Sequence, residues 1–335
     1  MRKLASVLVL TTTIFNTSCS YAGTSQRNQF WGNMNMINLQ DTKTWCLGRY
    51  IFEASKDAQF FLQRDEYDSF KIETKKLGAT KNDLEKEIAK IIKEYTSYGS
   101  ILVDQTAEVY HDRALTKIIW AKLSPKSPTI EVFAFVLDNG SLFKIEGSYS
   151  REYEAKSKES IENLVQKLKY RNNDSIPTSK GFCINNGFIK DNGERYRYAD
   201  QTLILNFTQF LTVDIEIQTE TIREFDGGLI ARTTKNLKED GLLAGFLTKV
   251  KTIRKGKRII NGFAGEEWIT EAPMKGRNGV DVVWEYPGIE NNNLAPVFYL
   301  SLTNGNDLKT KTASISNVEA LKLYENILKS IHNFN

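Results

Sequence analysis

The residues able to do covalent chemistry are few and badly placed for it. Two histidines, His111 and His332, are present in 335 residues, and His332 lies close to the C-terminal end. A Ser-His-Asp relay would therefore rest on His111 alone. His111 follows Tyr110 and precedes Asp112-Arg113, a context that reads as a strand end or turn. There is no Gly-x-Ser-x-Gly elbow, no phosphate-cradling glycine loop and no His-Glu-x-x-His. Glu266 and Glu267 after Gly265 suggest paired acid–base carboxylates. Neighbours on a strand point to opposite faces, so these two would not converge on one bond. The expectation is one solvated carboxylate and one that meets an Arg or Lys. Two distant cysteines and two distant histidines have no ligand spacing, so neither a metal nor another cofactor is expected.

With no catalytic constellation and no metal site, the sequence points away from an enzyme and toward binding. Arg195-Tyr196-Arg197-Tyr198, beside the turn-like Asp191-Asn192-Gly193, combines the residue types enriched at binding hot spots. An ordinary strand edge is the competing reading. Asp138-Asn139 at a hairpin tip and Asn292 in the Asn291–Asn293 loop are further contact candidates. Trp45, Trp120, Trp268 and Trp284 all fall in expected strands and read as core filling.

Composition bounds the class. Hydrophobic residues make up 41% and charged residues 26%, which places the body among soluble globular chains. The formal net charge is only +4, and Arg2 and Lys3 sit in a segment expected to be removed. That near balance argues against a nucleic-acid partner. The N-terminus reads as a secretory signal: Arg2-Lys3, then an apolar run from Leu4 to Phe15 interrupted by Ser6 and threonines, then small residues. Two processing outcomes compete. Cleavage after Ala22 suits Ser20 and Ala22. Cleavage after residue 18 would leave Cys19 at the new N-terminus for lipid modification and outer-membrane anchoring, although Asn16 stands where an aliphatic residue is expected. Either outcome exports the protein. In an oxidising compartment Cys46 and Cys183 are expected to pair, the alternative being two buried thiols.

The elements that must carry these residues read as α+β. After a tether over 23–41, Trp45–Phe52, Ala58–Arg64 and Ser69–Leu77 read as strands. Thr80 with Asp83 opens a helix whose apolar face is Leu84, Ile88, Ile91, Ile92 and Tyr95. Strands follow at Ser100–Tyr110 and Ala114–Leu123. A hairpin folds about Asp138-Asn139-Gly140, and a helix spans about Ser157–Tyr170. The polar stretch 173–180 reads as a linker. Beyond it strands are expected at Gly181–Ile189, Gln201–Phe207 and Thr212–Thr219, then a hairpin around Gly256. Three further strands precede a last helix capped by Ser316 and Glu319. The expected organisation is two tandem domains, 42–172 and 181–335, each a mostly antiparallel sheet packed with one or two helices.

Four segments in order carry a family resemblance: Cys46-Leu-Gly-Arg-Tyr50, Gly181-Phe-Cys-Ile184, Arg254-Lys-Gly-Lys-Arg-Ile-Ile-Asn-Gly-Phe-Ala-Gly-Glu-Glu267, and Val282-Val-Trp-Glu-Tyr286 running on to Pro296-Val-Phe-Tyr-Leu-Ser-Leu-Thr-Asn-Gly305. Together they resemble the immunity proteins that neutralise the fourth class of lipase effectors delivered by the bacterial type VI secretion system. The resemblance implies a claw-like pair of α+β domains, a periplasmic location and a protein partner, the cognate lipase, whose lid or cap is clamped shut. It implies a monomer until the effector binds. The other readings are a structural envelope lipoprotein and a divergent envelope hydrolase.

Overall fold

The computed structural model describes residues 38–335, apart from 98, 274–277, 306–312 and 335. The expected signal segment, Cys19 and the tether up to residue 37 lie outside the described residues. Among the described residues no helix is long and apolar enough to cross a membrane.

The chain opens with two hairpins, β1 (Thr42–Leu47) with β2 (Tyr50–Ser55) and β3 (Gln59–Tyr67) with β4 (Phe70–Leu77), and then α1 (Lys81–Tyr95). An antiparallel run follows: β5 (Ile101–Gln105), β6 (Val109–His111), β7 (Ala114–Lys122), β8 (Thr129–Asp138) and β9 (Ser141–Ser150), closed by α2 (Glu154–Lys167). Three short strands, β10 (Leu168–Tyr170), β11 (Gly181–Ile184) and β12 (Gly187–Lys190), lead into β13 (Ala199–Asn206) and β14 (Val213–Glu220). The chain continues through α3 (Leu229–Glu239), α4 (Leu243–Lys249), β15 (Lys251–Ile260), β16 (Phe263–Ala272), β17 (Gly279–Tyr286), β18 (Val297–Asn304), α5 (Asn317–Ser330) and β19 (His332–Asn333).

Thirteen strands join one antiparallel sheet in the order β15-β16-β17-β18-β14-β13-β3-β4-β9-β8-β7-β5, with β6 also on β7. Together with the five α-helices this is the expected α+β class. The two halves of the sheet meet at the β3–β4 hairpin. β3 pairs with β13 along its length but with β4 over only three residue pairs, Asp65↔Ile72 to Tyr67↔Phe70. The fork beyond them is occupied by the β11–β12 turn. Asn185 donates its N–H to the Asp65 carboxylate at 2.9 Å, and the Thr74 hydroxyl donates to the Asn185 carbonyl at 2.6 Å. Gln63 and Gln201 also donate to Asp65. Burial pushes this carboxyl up to about 6, and those hydrogen bonds hold it from rising further.

Burial follows from this layout. The first half of the sheet is covered on both faces, by α1 through Leu84, Ile88, Ile91 and Tyr95, and by α2 through Ile161, Leu164 and Val165. β7 is accordingly buried at every position. In the second half, β13 and β14 alternate strictly between buried and half-buried residues, because only one face meets a full layer. That layer is α5 together with the β1–β2 hairpin, whose Trp45, Leu47, Tyr50 and Phe52 pack with Leu203, Ile217, Leu300 and Tyr324. The first residues of the body thus fold into the core of its C-terminal half.

The helix caps formed as the sequence indicated. The Thr80 N–H and hydroxyl both donate to the Asp83 carboxylate, and Ser316 and Glu319 close a reciprocal capping box. All four strand tryptophans are buried. Several features differ from expectation, among them the stretch Gly181–Ile189, which folds as the hairpin β11–β12 instead of one strand. Residues 251–260 are one strand running through Gly256, not a hairpin about it. The turn lies at Asn261-Gly262, with φ of 48° and 88°, the dipeptide best suited to a tight hairpin. Trp45–Phe52 is likewise a hairpin instead of one strand, because Gly48 at φ 58° reverses the chain.

Candidate partner-binding surface

The motif Cys46-Leu-Gly-Arg-Tyr50 builds a junction inside the protein. Cys46 is disulfide-bonded to Cys183, with Cα atoms 5.8 Å apart across a sequence separation of 137. In the chain-entropy model, closing a loop of that size stabilises by about 5 kcal/mol. Gly48 exchanges backbone hydrogen bonds with Cys183 at 2.8 and 3.0 Å, and a Cβ there would meet Gln201 Oε1 at 2.7 Å. The Arg49 guanidinium, 1% exposed, donates to the carbonyls of Asn293 (3.2 Å), Gly181 (2.8 Å) and Asp191 (3.0 Å) and pairs with the Asp191 carboxylate. The Tyr50 hydroxyl donates to the Pro296 carbonyl at 2.6 Å. One turn therefore ties the opening hairpin to three segments far away in sequence.

The Gly-x-x-Gly-Glu-Glu stretch is a second internal device. Gly262 completes the hairpin turn. Gly265 lies against β17, where a Cβ would meet the Glu285 carbonyl and the Trp284 ring at 2.6 Å. Glu266 accepts from the Ile230 N–H at 2.9 Å and so caps α3, which begins at a glycine N-cap without a side chain of its own. Glu267 is buried, paired with Arg254 and Arg258 and bonded to the Tyr324 hydroxyl at 2.7 Å. Glu325 on α5 binds the same two arginines. Against the desolvation that raises it, their hydrogen bonds hold the Glu325 carboxyl down at about 2. The two glutamates point apart, as strand geometry requires. Neither is solvated and idle.

The contact candidates divide by burial. Arg197 is 8% exposed and paired with Asp68 in the β3–β4 turn. Asp138 is 7% exposed and accepts the Tyr170 N–H at 2.7 Å. Both are internal, unlike the surface positions the sequence suggested: Asp138 at the end of β8 and Arg197 in the loop before β13 spend their polar atoms inside the fold. Arg195 is exposed and pairs with Glu159 at 3.0 Å, and Asn139 is exposed at the hairpin tip. Tyr196 is half-buried under the Arg223 guanidinium at 5.2 Å. Asn292 is half-buried and accepts the Leu294 N–H at 2.9 Å. Tyr198 is half-buried and lies 3.4 Å from Glu220. In register, Glu220 stands opposite Asp200, which stands opposite Glu66. Burial, then the Asp200 charge, raises the Glu220 carboxyl to about 7.

His111 closes β6, its carbonyl accepting from Lys169 at 3.1 Å, with Asp112 at φ 53° in the turn beyond. Among the described residues no group of three His, Cys, Asp or Glu is placed to hold a metal ion. The geometry offers open edges and faces instead. The outer strands β15 and β5 each pair on one side only, and Ile253, Ile259, Ile101 and Val103 on them are exposed.

Residues 175–333 match the family described as the Tle cognate immunity protein 4 C-terminal domain. A comparison with curated protein sequences returned no match. Among solved structures, the apo immunity protein TplEi of the type VI secretion system of Pseudomonas aeruginosa aligns with a TM-score of 0.73 at 21% identity, covering 87% of this chain and 97% of that one. The same TplEi complexed with an "L" peptide aligns at 0.73 and 20% identity, over 88% and 99%. A chain of the Tle4–Tli4 complex aligns at 0.74 and 21% identity, over 88% and 98%. The fold is therefore shared across nearly the whole described body, and the family model of the Tle cognate immunity protein 4 C-terminal domain matches the stretch 175–333 within it.

Proposed function

We propose that this protein is a type VI secretion immunity protein that acts in the periplasm, binds a cognate phospholipase effector and inhibits it by clamping its lid or cap. The observation that carries this is the family match over 175–333, supported by a fold that aligns over 88% of the chain with a member of the Tle4–Tli4 complex. Inhibition is by shape and charge, without catalysis. Self-protection requires free toxin to be very scarce, so a dissociation constant near nanomolar is needed, worth about −12 kcal/mol. Such affinity calls for a matched surface of roughly 1,600 Å², which the residues of 42–172 and 181–335, held in one cross-linked sheet, can supply as two arms. Arg195, Tyr196, Tyr198, Asn139 and Asn292 are proposed contacts. The segment 1–22 is proposed to export the chain, with lipid attachment at Cys19 as the anchored variant.

The test is an inhibition assay. Purified chain lacking the first 22 residues is mixed with the Tle4-type lipase of the same bacterium, and release of fatty acid is followed. Equimolar chain should abolish hydrolysis and co-elute with the lipase as one complex. A lipase left fully active at equimolar dose would overturn the reading.

A further inference from the structure

The strand at one end of the sheet is unlike an ordinary surface edge. From Lys249 to Arg258 the chain carries six cations, Lys249, Lys251, Arg254, Lys255, Lys257 and Arg258, and no acidic residue. Among the described residues β15 pairs with β16 only, and they leave the other side of its backbone ladder open. Arg254 and Arg258 point toward α5 and are taken up by Glu267 and Glu325. Lys255 and Lys257 fall on the opposite face, with Ile259 next in the alternation. Lys255 sits over the Trp268 ring at 3.6 Å and 3.5 Å from the Thr234 hydroxyl, Lys257 stands opposite Glu266 in register, and among the described residues neither lysine is taken up in an ion pair.

Lysines on an edge strand commonly prevent strand-to-strand association between copies. That purpose does not require outward isoleucines, yet Ile259 is 71% exposed and Ile253 is 43% exposed. Apolar side chains flanking fixed cations on an open ladder make a surface that repels a second copy of itself and accepts an extended chain of opposite charge. The edge is also pre-organised. The Arg254–Glu267–Arg258–Glu325 cluster and the Tyr324 hydroxyl pin it to α5, so little ordering entropy remains to be lost on docking.

We propose that the free edge of β15 is a docking edge for an extended, acidic segment of the effector. The segment adds as a further strand, its carboxylates facing Lys255 and Lys257 and its apolar side chains covering Ile253 and Ile259. This rests on the reading that the chain inhibits an effector, and the experiment separates the two. Wild type and a Lys255→Glu/Lys257→Glu variant are compared against the Tle4-type lipase. Neither lysine is part of the buried cluster, so the variant should still fold cooperatively, melting slightly below wild type because the Lys255–Trp268 contact is lost and a carboxylate is set opposite Glu266.

The variant should bind the lipase at least about tenfold more weakly, chiefly through slower association, and with a shallower dependence on salt. On the wild-type protein, amide hydrogen exchange within 251–260 should slow when the lipase is bound. A variant that inhibits like wild type, or exchange in β15 that the lipase leaves unchanged, overturns the edge while the inhibitor reading stands. A wild-type chain that leaves the lipase active removes both. Loss of binding to phosphatidylethanolamine–phosphatidylglycerol vesicles with inhibition intact would assign the edge to lipid and overturn the proposal.

Discussion

Replacing Arg49 by Met tests whether the junction holds the two halves together. The methionine keeps the apolar stem and removes the cation with its donors. Three carbonyls, of Asn293, Gly181 and Asp191, lose their guanidinium bonds, and the Asp191 carboxylate keeps the Gly193 N–H at 3.1 Å and the Tyr67 hydroxyl but no cation. Breaking a buried ion pair from one side costs about 3–5 kcal/mol, because the remaining charge stays out of water. With a urea slope of about 3 kcal/mol/M the unfolding midpoint should fall by about 1–1.7 M. Arg49→Lys should lose about 2 kcal/mol, since one ammonium cannot span acceptors arranged for a planar fork. In Arg49→Met/Asp191→Asn the stranded charge is gone, so the pair should couple by about 2 kcal/mol relative to the sum of the single losses. Urea titrations of wild type, Arg49→Met, Asp191→Asn and the double variant, with the disulfide intact, provide the cycle. An Arg49→Met midpoint within error of wild type, or strictly additive losses, would refute the assignment of this arginine as the tie.

Two further substitutions probe the sheet. Glu220 is raised to about 7 in the fold from 4.5 in the open chain, so between those values the folded form holds a proton that the unfolded form has released. Its contribution is therefore intact below about pH 4.5 and lost as pH climbs through about 7, and Glu220→Gln should be more stable than wild type by about 1–2 kcal/mol at pH 8 after solvent screening, with no difference at pH 4. Thermal melts at the two pH values check this, and a less stable variant at the higher pH would count against it. Gly265→Ala places a Cβ 2.6 Å from both the Glu285 carbonyl and the Trp284 ring, so it should cost about 2–3 kcal/mol in urea unfolding, and a neutral result would show that the strands can part there.

What could be read from the sequence was local chemistry. Thr80 with Asp83, Ser316 with Glu319 and the Asn139-Gly140 turn each act within a few residues, and each formed as expected. The α1 stripe and the strand tryptophans were legible for the same reason: periodicity is a property of one element. The helices α3 and α4 were not foreseen. The N-terminal cap of α3 is Glu266, supplied by a strand many residues later, and Gly228 carries no capping signal. The hairpin assigned to Gly256 moved to Asn261-Gly262 because two residues tolerant of positive φ outweigh one glycine that can remain extended. Arg197 and Asp138 show the limit for binding sites. Composition marks residues able to make strong contacts, but only the fold decides whether the partner is another molecule or Asp68 and the Tyr170 amide.

The residues that carry the family resemblance are spent on the interior. Gly48, Arg49, Tyr50, Gly265 and Glu267 close turns, fill a tie or neutralise a buried pair, and none offers a charged head to a partner. Structures with about a fifth of their residues identical to this chain keep its fold over most of their length. The frame is therefore compatible with wide change elsewhere, and that change is where discrimination must reside, since specificity is a difference between affinities set by surface contacts and repulsions. The lysines of β15 and the exposed isoleucines beside them are free to vary without disturbing Glu267 or Tyr324, because they occupy the other face or the outer edge of the same strand. On the proposed inhibitor reading, a rigid ion cluster on one face of β15 and an adjustable charged rim on the other would let one architecture be fitted to different toxins without refolding.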